Sequence, residues 1–254
     1  MKIVVPVNLV PDLVEELTID ESGIRLDMEW LSLILNEFDD HAIEQAILMK
    51  ENVGAHVTVL APDVEGADDV LYTALAKGAD QIIKIQADFD EGVDKHTLTQ
   101  SFVAPLQTLQ PDLVLTGVQA HDDLDGSVGP LLAGYLEMPY VGYIAGVEVD
   151  DDAVVVRKEY PGGLMAEMRV TLPAVLGIQA AQKPPRYVAF SRVRQAMKSD
   201  AVEALEVDDL PTIGNVSISR MYEAESGERA EMIEGDEEEV ATKLIEIFHA
   251  QGVL

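Results

Sequence analysis

"TGVQAHDDLDGSVGPLLAG", residues 116–134, reads as the end of a strand, a loop and the start of a helix. The loop carries one histidine and three aspartates: His121, Asp122, Asp123 and Asp125. Before it, "PDLVLTG" is a short apolar run that suits a buried strand, and after it "SVGPLLAGYLEM" suits a helix. The same alternation holds back to the N-terminus. Residues 2–8, "KIVVPVN", read as a buried first strand, and "AHVTVLAP" and "QIIKIQ" as further strands. "NEFDDHAIEQAILMKENVG", "GADDVLYTALAKGAD" and "KHTLTQSFVAPLQTLQ" read as helices, the last kinked by Pro105. Asn36 stands as the N-cap of the first, with Asp39 three residues on; Ile43, Ala46, Ile47 and Lys50 have helical spacing, and Gly54 ends it. "ELTIDESGIRLDM" alternates around Ser22-Gly23 and reads as a hairpin. Strand and helix in turn, up to about residue 140, predict an α/β fold: a doubly wound, mostly parallel sheet covered on both faces.

Beyond that point the pattern changes. "DDAVVVRKEY" and "LMAEMRVTLPAVLGIQ" read as strands joined by Pro161-Gly162-Gly163, an antiparallel addition. "KPPRYVAFSRVRQAMK", 183–198, is a basic island in an acidic chain, and from Ser199 onward the sequence is acidic. It ends in an amphipathic helix whose Val240, Leu244, Ile245 and Phe248 share one face. The expected organisation is an α/β domain at 1–198, with 183–198 as a recognition segment, and an extended C-terminal arm at 199–254 that docks on another surface.

With 254 residues, 48% of them hydrophobic, the chain can bury one large core or two small ones. Its formal charge of −30 repels nucleic-acid phosphates and anionic head groups, so neither nucleic acid nor direct membrane insertion is expected. The acid excess suits an ordinary acidic surface or a high-salt cytoplasm. The absence of cysteine removes disulfides, thiolate nucleophiles and Cys-type metal ligation. Pro6 and Pro11 interrupt the N-terminal apolar run, which does not read as a signal peptide, and no run approaches membrane-spanning length; a soluble, cytoplasmic protein is expected.

The usual catalytic signatures are missing. No Walker A loop, Gly-x-Gly-x-x-Gly, Gly-x-Ser-x-Gly or His-Glu-x-x-His occurs, and no two of the five histidines stand four apart, so no metal site is expected. His121 beside Asp122 suits either an oriented general base or a pair of turn and cap residues, with no nucleophile close in sequence. The position of the loop says more. It lies at the carboxyl end of a parallel strand and feeds a helix at Gly126-Ser127-Val128-Gly129, where backbone N–H groups receive phosphate; Gly117, Gly126 and Gly129 permit close approach. Pro6-Val7-Asn8 and Asn36-Glu37-Phe38-Asp39 end at the same rim. No Lys or Arg lies in these three segments, which points to a nucleotide of low charge held largely by backbone groups. Phe38 suits a hydrophobic staple or an aromatic contact near a redox centre.

Three stretches, "LNEFDDHAIEQAILMKE", "LTGVQAHDDLDGSVGPLLAGYL" and "YPGGLMAEMRVTLPAVLGIQAAQKPPRY", together resemble the β subunit of electron transfer flavoprotein. The tail "SISRMYEAESGERAEMIEG" resembles the longer arm of a bacterial branch that includes partners of amine dehydrogenases. The resemblance implies an adenine-nucleotide-binding type of fold and an electron carrier rather than an enzyme. It implies an α subunit as partner that holds most of the FAD, a dehydrogenase as donor and a downstream oxidoreductase as acceptor. It implies a structural AMP in this chain, lined by Pro6, Asn36, Glu37, Phe38, Asp39, Gly117, Gln119, Ala120, His121, Asp122, Asp123, Asp125, Gly126, Ser127 and Val128. Phe38 would lie near the flavin, Phe190 with Arg192 and Arg194 would anchor the dehydrogenase, and the last helix would wrap onto α. Departures are Asn8, where the family usually has Lys, and Asp125-Gly126-Ser127-Val128; Val128-Gly129-Pro130 resembles branches that bind a second FAD and bifurcate electrons. Two readings of other classes stand beside this one: a free-standing adenine-nucleotide-binding regulatory protein, and a metal-assisted nucleotide hydrolase using Asp122, Asp123 and Asp125.

Overall fold

The computed structural model describes residues 1–89, 94–123, 127–199, 201–207, 210, 218–224, 230 and 232–253. The chain divides into two compact units, Met1–Ser219 and Arg220–Leu254. The first is built on a nine-stranded sheet in the order β11-β5-β4-β1-β6-β10-β7-β8-β9. β1 (Lys2–Pro6) is central, flanked by β4 (His56–Pro62) and β6 (Leu113–Gly117), with β5 (Gln81–Gln86) beyond β4. β10 (Ala174–Ile178) lies between β6 and β7 (Tyr140–Asp150), and every pairing from β11 (Val202–Glu206) to β7 is parallel. β8 (Ala153–Tyr160) and β9 (Leu164–Thr171) then continue as an antiparallel meander around the Pro161-Gly162-Gly163 turn.

The apolar alternation of the strands assigns the helices to two faces. Ile3, Val5, Val7, Leu113 and Leu115 share a core with residues of α1 (Glu37–Val53) and α2 (Ala67–Lys77). Val4, Val114 and Val175 share the opposite core with Leu98, Phe102 and Leu106 of α3 (Lys95–Leu109) and Leu132 of α4 (Val128–Leu136). Each such side chain, fully removed from water, stabilises the fold by about 1.5–3 kcal/mol before chain entropy is counted. Asp94 caps α3, accepting from the backbone N–H of His96 and Thr97 at 2.9 and 3.0 Å. Pro105 lies inside α3 without ending it.

The doubly wound sheet and its antiparallel addition match the expectation from sequence. Four details differ. "YVGYIAGVEVD" forms β7, a strand the alternation did not show because its burial changes side along its length. "LMAEMRVTLPAVLGIQ" is two strands: β9 stops at Thr171, and β10 inserts between β6 and β7 as a parallel strand. "VEALE" forms β11 against β5, so residues just past 198 extend the sheet. The hairpin at Ser22-Gly23 reduces to a single Ile19–Leu26 bridge, while β2 (Leu9–Pro11) and β3 (Leu33–Leu35) pair outside the main sheet.

The second unit contains α6 (Glu237–Ala250), which begins in a capping box formed by Asp236 and Glu239. None of its residues is buried, and Leu244, Ile245 and Phe248 are exposed. Among the described residues no helix is long and apolar enough to cross a membrane.

Candidate functional site

The chain runs outward from β1 to β4 and β5, then returns to place β6 on the other side of β1. The strand order therefore reverses between β1 and β6, and the crevice above their carboxyl ends is where open α/β sheets bind ligands. One carboxylate ties this rim together. Asp39, in the first turn of α1, is buried; its Oδ1 accepts from Gly117 N–H at 2.6 Å and its Oδ2 from Asn8 N–H at 2.9 Å. Asn36 Nδ2 adds a third bond to Asp39 Oδ2 at 3.1 Å and a fourth to the Gln119 carbonyl at 3.0 Å. Asn36 does occupy the N-cap position of α1, but its side chain caps no helical N–H and spans to the loop instead. Burial pushes the Asp39 carboxyl up to about 6, against the bonds from Asn8, Gly117 and Asn36 and the charge of Lys95. Gly117 has to be glycine: a Cβ there would lie 2.7 Å from Asp39 Oδ1 and 2.8 Å from the α1 backbone.

The loop beyond Gly117 folds on itself. Asp123 Oδ2 accepts from Ala120 N–H at 2.8 Å, and the Asp123 N–H returns a bond to the Ala120 carbonyl at 3.2 Å, a local turn of the kind aspartate supports. Val118 N–H reaches Ile178 O at 3.0 Å and fixes the loop to β10. Asp122 and His121 are exposed. Ser127 precedes α4 as its N-cap and makes no side-chain cap bond. Asp125 and Gly126 lie outside the described residues.

The rim also holds a cation absent from the three segments read in the sequence. Lys95, the first residue of α3, is buried, and its Nζ lies 2.8 Å from Asp122 Oδ1 and 3.6 Å from Asp123 Oδ1. A signal for it exists: α3 follows β5, so its first turn stands at the same rim as any helix start that follows a parallel strand.

Three buried side-chain polar atoms have no hydrogen-bond partner among the described residues: Asn8 Nδ2, Thr116 Oγ1 and Asp123 Oδ1. All three belong to this rim, at the ends of β1 and β6 and in the loop. Thr116 is in phase with Val114 and thus on the α3/α4 face, and a Cβ at Gly129 would lie 2.6 Å from its hydroxyl. An unpaired buried polar group costs about 1–3 kcal/mol. Two such groups, Asn8 Nδ2 and Thr116 Oγ1, beside an Asp123 Oδ1 that meets only the Lys95 ammonium at 3.6 Å, fit a polar ligand of hydrogen-bonding size better than a packed core.

A second polar cluster lies further along α1. The segment after β10 crosses it as a strap: Ala181 N–H donates to His41 Nδ1 at 3.2 Å and Gln182 N–H to Gln45 Oε1 at 3.1 Å. Arg186 then grips Glu44, 2.9 Å from Nη2 to Oε1, and Glu51, 2.6 Å from Nη1 to Oε1. The Pro185-Arg186-Tyr187 run thus fastens the strap to α1. Past it, α5 (Phe190–Met197) packs against α2 and opens with Phe190, 64% exposed, its ring 4.8 Å from the Arg194 guanidinium. Arg192 is exposed on the same helix. Among the described residues no three His, Asp or Glu side chains converge in a way that would hold a metal ion.

Fold and rim define the class: a doubly wound α/β protein with a polar rim at its switch point. The family model described as electron transfer flavoprotein domain matches residues 30–210. A Methylophilus methylotrophus protein named electron transfer flavoprotein subunit beta is 34% identical over 98% of both chains. Proteins of the same name from Clostridium acetobutylicum and Bacillus subtilis are 33% identical over 83% of this chain and 80% of theirs, and 29% over 95% of both. The chain belongs to the electron transfer flavoprotein β-subunit family, and its role is that of an electron-carrier subunit.

Proposed function

We propose that this chain pairs with an α subunit, and that the pair carries electrons from a dehydrogenase to an acceptor oxidoreductase through FAD held mainly by α, with an AMP held structurally in the rim described above. The flavin, when bound, supplies the redox chemistry; this chain supplies the second half of its surroundings and the adenine-nucleotide site. The observation that carries the reading is the gathering of Asn8 Nδ2 and Thr116 Oγ1, without hydrogen-bond partners among the described residues, and the Asp123–Lys95 pair at the switch point between β1 and β6. Pro6, Asn36 to Asp39, Gly117 to Asp123, Ser127 and Val128 would line the ligand; Asp125 and Gly126 are assigned from the sequence alone.

The electrostatics favour a small phosphate count. Among the described residues, the cation that Asp39, Asp122 and Asp123 face is Lys95. A triphosphate would add its charge to an acidic rim, whereas a monophosphate at the start of α4 is met by backbone N–H groups. The exposed Leu244, Ile245 and Phe248 of α6 support docking of the C-terminal arm on α, and the exposed Phe190 with Arg192 and Arg194 supports a dehydrogenase contact. Denaturing the purified heterodimer and quantifying the released ligands tests the reading. One FAD and one AMP per pair is expected. Two FAD and no AMP would replace it with the bifurcating type, and flavin alone would remove the nucleotide site.

A further inference from the structure

Asn8 is the more constrained of the two groups left without a partner among the described residues, the other being Thr116. Its backbone is pinned on both sides: its N–H donates to Asp39 Oδ2 at 2.9 Å, and its carbonyl accepts from Asn36 N–H at 3.0 Å. Its residue is 7% exposed, and Nδ2 donates to nothing among the described residues. The neighbouring side chains limit its direction. Ile3, Val5, Val7 and Leu9 enter the core with α1 and α2, while Val4 enters the core with α3 and α4. Asn8 lies two residues past the carboxyl end of β1, between Val7 and Leu9, and both of these enter the α1/α2 core, so its carboxamide stands at the rim rather than in line with them. A held, desolvated amide donor at a binding crevice needs an acceptor from the ligand.

The charges around it select the kind of acceptor. The groups facing this part of the rim are the Asp39 carboxylate from α1, Asp122 and Asp123 from the loop after β6, and Lys95 from α3, already engaged with Asp122. Asp39 receives the Asn8 N–H itself, so a phosphate brought to the Asn8 side chain would come close to a buried acid with, among the described residues, no free cation beside it. An uncharged ring nitrogen or ribose oxygen meets no such repulsion.

We propose that the Asn8 carboxamide is a specificity-determining donor that hydrogen-bonds an uncharged acceptor on the nucleoside part of the ligand, base or ribose, and leaves the phosphate to the far side of the rim. This rests on the nucleotide reading given above. It makes position 8 a reader of nucleoside rather than of charge.

The test uses the intact αβ heterodimer after nucleotide exchange, with AMP and adenosine as separate probes in equilibrium binding. Asn8→Ala should weaken AMP and adenosine by the same factor, about tenfold, the scale of one buried hydrogen bond. Asn8→Asp keeps the size, removes the donor and adds a charge beside Asp39; it should weaken both probes further, and it serves if the alanine variant folds poorly. Flavin content and melting temperature report folding independently. A loss confined to AMP, with adenosine unchanged, places Asn8 on the phosphate and overturns the proposal. Unchanged binding of both probes overturns it too. If the unsubstituted heterodimer binds neither AMP nor adenosine, the nucleotide reading of the rim has failed, and the proposal fails with it.

Discussion

Two polar clusters hold the front of α1, and they are finished to different degrees. At the strap, Glu44 receives Arg186 through its backbone N–H and its guanidinium, and Glu51 shares the same guanidinium. Glu44 is 2% exposed, and both of its carboxylate oxygens accept from Arg186. At the rim, Asp39 is equally well supplied with donors, but among the described residues Asn8 Nδ2 and Thr116 Oγ1 have no hydrogen-bond partner, and Asp123 Oδ1 has only the Lys95 ammonium at 3.6 Å. Each cluster is centred on a buried carboxylate of α1, and each joins segments far apart in sequence. The completed one is a fastening. The incomplete one has bonding capacity left for something else, and that remainder separates a site from a brace.

Substitutions can sharpen this contrast. Breaking the strap should cost most in stability. Glu44→Ala leaves the Arg186 side chain short of its buried partner and should lower unfolding free energy by about 3 kcal/mol, the low end for such a pair because Arg186 is 30% exposed and keeps Glu51, while AMP affinity per folded molecule stays the same. Denaturant titration alongside AMP binding measures both; a selective loss of AMP would dissolve the distinction.

Asp39→Asn is next, and its effect depends on pH. The Asp39 carboxyl is held near 6 by burial, above its ordinary value of 3.8, so the folded state keeps a proton that the unfolded state has released. Its contribution is greatest in acid, declines as pH rises from about 4 to about 6, and is level above that. The stability difference between the parent and the non-titrating variant should therefore narrow across this window, by about 2–3 kcal/mol in total. A difference that widens with pH would show the carboxylate to be the favoured buried form.

Lys95→Met should act on the ligand. Removing the cation leaves Asp122 and Asp123 uncompensated, so AMP binding should weaken about tenfold and more steeply at low salt, and adenosine should change little. Equal losses for both ligands would make Lys95 a loop support alone. Smallest in stability is Phe190→Ala at an exposed site, within about 0.5 kcal/mol. It should slow electron delivery from the dehydrogenase at unchanged flavin content. A fall in flavin with transfer per flavin preserved would make the ring structural.

The alternating strands and helices up to α4 were legible because each keeps one period over its whole length: β1, β4, β5 and β6 are buried runs bounded by turn residues. β10 was not legible as a separate strand, because only Leu172-Pro173 divides its apolar run from that of β9, and nothing in five residues says which neighbours they join. β11 is short, acidic and at an edge, so it carries little hydrophobic signal. For the site, the rim segments were readable from their place at strand ends. Lys95 was not, since a loop-by-loop count of charges misses a side chain arriving from a helix elsewhere in sequence. Nor did the residue types reveal that Asn36 bridges to Gln119 rather than capping α1, for both roles use the same amide.

The insertion of β10 has a consequence for how the protein is made. The loop at the rim is tied by Val118 N–H to Ile178, and Glu44 waits for Arg186, 142 residues further along. At ordinary rates of translation those partners leave the ribosome on the order of ten seconds apart. Throughout that interval the nascent chain carries α1 with an unmatched acid on the face it must bury, and a rim whose register is not yet set. Assembly of the crevice is thereby deferred until nearly the whole sheet has been synthesised, and a truncated product that ends before residue 178 lacks the bond that fixes its loop.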